Sequence, residues 1–137
     1  MQKETQHGIV HPTIGTKSFY YRLQIHPSVK SIRDYWDSTS SDAGIKSSSR
    51  DVLAFCLMYE KPAGRCIGEI ILAVNTPVNI IVHECLHALL HWGKLKNLNI
   101  YHAEEDFCFA MQCLVKNVLR KYKKINKIPT EKFKTPL

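Results

Sequence analysis

The apolar positions of this chain change period several times, and each change marks an element. Ser18-Phe19-Tyr20-Tyr21-Arg22-Leu23-Gln24-Ile25 is aromatic and branched and predicts a strand. Pro27 then opens a short helix in which Ile32, Tyr35 and Trp36 fall at i, i+3 and i+4. Val52 to Tyr59 and Cys66 to Val74 are strand-like runs. Lys61-Pro62-Ala63-Gly64-Arg65 between them is turn chemistry, so the two pair as a hairpin. From Asn75-Thr76-Pro77, a polar cap with proline in the first turn, a helix runs to about Trp92 and stops at Gly93. Lys94 to Asn99 links it to a second long helix over about His102 to Tyr122. There Phe107, Ala110, Met111, Leu114 and Val118 form one stripe, widened by Cys108, Val115 and Leu119. Residues 1–16 read as irregular, with His11-Pro12 and Gly15 as breakers, and the serine-rich stretch 38–50 reads as a loop. The order β-α-β-β-α-α predicts one α+β domain over 1–137, a small antiparallel sheet packed on two helices.

Composition narrows the class. At 137 residues the chain is long enough for one hydrophobic core, and 45% hydrophobic content is ordinary for a globular protein. No window approaches the ~18 apolar residues of a membrane span. Met1 to His7 is polar and has no apolar core of a signal peptide, so neither membrane insertion nor export is expected. Five cysteines form an odd set with no C-x-x-C pair, which fits free thiols in a reducing cytoplasm.

Charge is concentrated at one end. Lys116, Arg120, Lys121, Lys123, Lys124, Lys127, Lys132 and Lys134 face only Glu131, so this segment holds the whole net charge of +7. A basic stretch of this kind over 116–134, with its tail at about 123–137, can serve as an electrostatic footprint for nucleic acid or an acidic partner. The plainer account is a solvated helix end whose cations suit the helix dipole. Tyr122 is the only aromatic residue interleaved with the main cluster, which weakens the case for base stacking.

One motif carries chemistry. His83-Glu84-Cys85-Leu86-His87 reads H-E-x-x-H within the apolar run of the first long helix. Residues four apart on a helix share a face, so two imidazoles so placed can close on one Zn²⁺. Glu84, one position on, leaves that stripe but stays near its rim, where it can act as general base toward metal-activated water. Cys85 points away from the metal face and reads as packing. The plain alternative is an amphipathic helix whose histidines happen to lie four apart. A catalytic zinc usually has three protein ligands and an open position. His91, His102, Glu104 and Glu105 are the candidates for the third, and an acidic side chain in the first turn of a helix also has a dipole role.

The stretch from His83 to His91, followed by a linker and Glu104-Glu105-Asp106-Phe107-Cys108-Phe109-Ala110, resembles small gluzincin-type metallopeptidases. It is similar to compact bacterial and phage-encoded H-E-x-x-H proteins and, more distantly, to the IrrE/ImmA peptidases. The resemblance covers about residues 63–120 and implies a minimal zincin-like fold. It also implies a third ligand on the next helix with a small residue three positions later. Glu105, with Cys108 at that position, is the implied ligand, whereas Glu104 has the bulky Phe107 there. A second resemblance is to SprT/Spartan-type proteases, carried by the hairpin Gly64 to Leu72 before the motif. It implies His102 as third ligand and action near DNA, but Ala103 stands where that family has glycine.

The first resemblance implies a zinc peptidase in which His83, His87 and Glu105 hold one Zn²⁺ and Glu84 is the general base. An exposed edge of the strand Cys66 to Ala73 would then pair with an extended peptide substrate. Tyr101, His102 and His91 are candidate oxyanion donors, and Asp106 or Glu104 could orient an imidazole. Two other classes compete: a non-catalytic protein stapled by zinc, and a binding module that uses the basic C-terminal segment. Oligomeric state and cleavage preference are not legible.

Overall fold

The computed structural model describes residues 4–13, 18–42 and 52–126. Its elements are β1 (Gln6–Val10), β2 (Tyr20–His26), α1 (Val29–Asp42), β3 (Phe55–Met58), β4 (Cys66–Ala73), α2 (Val78–Leu95) and α3 (Glu104–Asn126). The α+β class and the long C-terminal helix are as the sequence pattern indicates. The expected residues 43–50 of the serine-rich loop and the tail beyond 126 lie outside the described residues.

The four strands form one sheet in the order β1-β2-β4-β3. The hairpin forms as expected, β3 antiparallel to β4, with Leu57 opposite Glu69. The sheet is mixed rather than antiparallel, because β2 and β4 run parallel with Leu23 opposite Ile70. A parallel pair needs a crossover, and α1 lies in the connection that supplies it. Two further differences concern segments read as irregular. Gln6–Val10 pairs antiparallel with β2, and α1 continues through the first serines of the stretch expected to be a loop.

Helices cover both faces. Tyr21, Leu23 and Ile25 on β2 and Ile70 and Leu72 on β4 pack toward α2 and α3. The alternate positions Ile71 and Ala73, with Phe55, pack on Ile32 of α1. β4 is therefore buried on both faces and flanked by β2 and β3, so it cannot be the exposed edge expected of it. Its unbroken Ile70-Ile71-Leu72-Ala73 run is the pattern of a strand covered on both sides. Among the described residues the edge strand beside α2 is β3.

On the α1 side a polar chain threads the sheet. His26 Nδ1 meets Ser31 Oγ at 2.7 Å and its Nε2 donates to Gln24 Oε1 at 3.0 Å. Gln24 Nε2 donates to the buried Glu69, which also accepts from Tyr35 (3.0 Å) and Tyr59 (2.6 Å). Burial raises both phenols, and the Glu69 carboxylate adds to the effect. Glu69 is thus a satisfied structural acid, its lone pairs occupied by three donors.

The helical hairpin is set by one glycine. Gly93 does not end α2; the helix runs on to Leu95. A Cβ at Gly93 would stand 2.3 Å from Phe107 Cζ, so the missing side chain lets α3 close on α2. The stop comes later. Asn97 takes φ 57°, its N–H donates to Lys94 O at 3.1 Å, and the Leu98 N–H donates to Gly93 O at 2.9 Å. That is the Schellman pattern with asparagine in the left-handed position. At the other end Pro77 itself is the N-cap, and Thr76 bonds back to Ala73 rather than capping the helix. Among the described residues no helix is long and apolar enough to cross a membrane.

Candidate metal centre

The position of the motif follows from what α2 buries. Ile81, Cys85, Ala88, Leu89 and Trp92 face the core, and the Tyr21 hydroxyl donates to Ala88 O from the sheet below. With those positions inward, His83 and His87 must face outward, and Glu84 turns toward β3. The side chain of His83 is 64% exposed, whereas that of Glu84 is 8% exposed. The two Nε2 atoms stand 3.1 Å apart, with ring centroids 4.8 Å apart and planes at 78°. Two nitrogens bound at about 2.0–2.1 Å to a tetrahedral ion would be roughly 3.3 Å apart. The pair is therefore already at the spacing a shared zinc ion would impose. Glu84 Oε2 lies 4.0 Å from His83 Nε2, close to the pair but on its buried side.

These residues form one wall of a cleft of about 560 Å³. The opposite wall is Val52 to Phe55 with Cys56 and Met58, and Trp36 closes one side. Trp36 meets Phe55 edge-on at 5.0 Å, which fixes that side. The cleft thus brings together the motif, the edge strand β3 and α1, three elements far apart in sequence.

Cys56 was not singled out by the sequence pattern, yet it anchors this wall. Its thiol donates to the backbone oxygen of Glu84 at 3.3 Å, tying β3 to the motif. Burial first and then Glu84 hold that thiol well above its ordinary range. Strand alternation at 54, 56 and 58 was the available signal, but it needed the strand's neighbour to be known. Cys85 faces the core as expected, and burial, then Glu84, push its thiol up to about 12. Burial keeps both as thiols, which suits packing.

The expected third ligands lie elsewhere. Glu104 and Glu105 occupy the exposed first turn of α3. Phe107, two residues on from Glu105, packs on Trp92 and Gly93 in the last turns of α2, whereas His83 and His87 lie nearer its middle. His102 is exposed in the turn before α3, its N–H bonded to Asn99 O at 3.0 Å. His91 Nε2 lies 3.1 Å from the carbonyl oxygens of both Tyr59 and Ile67, where it donates and pins α2 to the hairpin. Among the described residues no group of three His, Cys, Asp or Glu is assembled for a metal. The structure brings His83, His87 and Glu84 together and does not bring Glu105 to them. The small residue expected three positions after the ligand, Cys108, is exposed, and Gly93 makes the close approach instead. No family model matches the chain, and no curated protein or solved structure matches it.

Proposed function

We propose that this protein is a zinc-dependent peptidase, with His83 and His87 as metal ligands and Glu84 as general base. The observation that carries the reading is the pair of Nε2 atoms 3.1 Å apart beside a buried carboxylate, at the mouth of a cleft. Zinc held there would supply Lewis-acid polarisation of a carbonyl and an acidified water. Glu84 takes the proton as water attacks the scissile carbonyl, then delivers it to the leaving amine. The edge strand β3 gives an extended peptide main-chain partners, and the apolar wall from Val52 to Phe55 receives its side chains. The free thiols among the described residues support a reducing cytoplasm as the setting of this activity.

The test is cleavage of a broad peptide library in the presence of zinc, wild type beside Glu84→Gln. Removal of the base should reduce turnover by about 10²-fold or more while metal uptake and melting temperature hold. Equal turnover in the two proteins would exclude Glu84 as the base. A non-catalytic zinc-binding protein is the second reading, favoured by the convergence of only two donors among the described residues. It predicts metal uptake with no cleavage by the wild type.

A further inference from the structure

On the opposite side of the α2–α3 hairpin lies a larger groove, of about 820 Å³. Its floor is apolar, built on Trp92, Leu98 and Ala110, and Phe109 stands at its side, 66% exposed. Residues 11–13 form the far wall. The main chain there is held to α3 because His11 O accepts from the Cys113 thiol and from Asn117 Nδ2. Three cations line the groove, Lys96, Lys116 and Arg120, against one carboxylate, Asp106. Lys96 Nζ lies 5.2 Å from the centre of the Trp92 ring, which holds it over the floor. Among the described residues none of the three forms an ion pair.

The spacing along α3 matters. Phe109, Cys113, Lys116 and Arg120 follow one another at i+4, i+3 and i+4, so an exposed ring and two cations share one face of the helix. Lys121 is not part of it, since its methylenes lie against Gly8 of β1. The basic run therefore divides, and one portion is directed into a concave surface that also offers an aromatic face.

We propose that this groove binds single-stranded nucleic acid, a base stacking on Phe109 while Lys116, Arg120 and Lys96 take the adjoining phosphates. A stacked base needs an accessible ring and phosphates need unpaired cations, and the groove supplies both. A duplex hides its base faces and would make only the phosphate contacts. An acidic peptide would use the cations but leave the ring without a partner. The proposal is independent of the peptidase reading, because it involves neither the histidine pair nor its cleft.

The experiment is fluorescence anisotropy of a short labelled oligothymidylate with the full chain in EDTA, across a salt series. The wild type should bind at low salt and weaken as salt rises. Lys116→Ala with Arg120→Ala should lower affinity at least tenfold and flatten the log–log salt slope by about 1.4, two phosphate contacts of a single strand. Phe109→Ala should lower affinity about tenfold with the slope unchanged, since stacking releases no counterions. Lys61→Ala, a charge control on the hairpin turn, should bind as wild type, and melting curves confirm that each variant folds. No binding by the wild type would overturn the proposal. So would wild-type affinity in the Phe109→Ala or the double variant, and so would equal competition by a duplex or by poly-glutamate.

Discussion

Glu84 and His83 are neighbours in sequence and opposites in environment, 8% against 64% side-chain exposure. That contrast suits the two roles proposed for the motif: a ligand must be reachable by an ion, and a base benefits from a site that excludes bulk water. The same reasoning applies to His26, which sits at the other extreme. Burial first, and then the charge of His7, lower its pKa from the ordinary 6.5. Burial thus favours the neutral ring in the folded chain, with its Nε2–H donating to Gln24 Oε1. Protonation favours the unfolded chain, so the stability this residue contributes is present above pH 6.5 and is lost as pH falls toward its depressed native value. Denaturant titrations at pH 7.5 and 5.5 should show a larger loss in the wild type than in His26→Gln. An equal loss in the two would place the acid sensitivity in another group. None of this was legible in the sequence, where nothing singled His26 out.

At the scale of elements, sequence pattern identified each long helix and the hairpin, because their apolar periods are clean. It misplaced what depends on neighbours. β4 carries the same residues whether it is an edge or a centre, and only β2 on its far side decides which. Gly93 looked like a stop signal because glycine is common there. The structure uses its missing side chain for Phe107 and ends the helix with Asn97, a residue that also tolerates positive φ. Gly93→Ala should therefore destabilise the fold. Phe107 is itself buried and packed on Trp92, so the ring can move only by opening the hairpin. A loss of about 1–3 kcal/mol is expected by chemical denaturation. The matching Gly64→Ala change, with nothing within 4 Å of the new carbon, should be near neutral. An unchanged midpoint for Gly93→Ala would mean that α3 does not rest on α2 as described.

At the scale of the whole molecule, the sheet stands between α1 and the α2–α3 hairpin, and the two grooves open on different elements. The cleft beside the histidine pair uses α1, β3 and α2 from Ile80 to His87, whereas the cationic groove uses the end of α2, α3 and the segment after β1. Within the candidate site, His83, Glu84 and His87 were legible because one helix fixes their geometry by spacing alone. The third ligand was not, because it depends on where the next helix begins against the last turn of α2. Packing of Phe107 on Gly93 places Glu105 at that end. Metal binding by the histidine pair is the claim on which the peptidase reading rests, and it can be measured without a substrate. Titration of metal-free, reduced protein with zinc, read by calorimetry, should give one ion per chain for the wild type. It should give none for His83→Ala. A wild type that takes up no zinc, or a His83→Ala variant that binds it as tightly, would contradict the account.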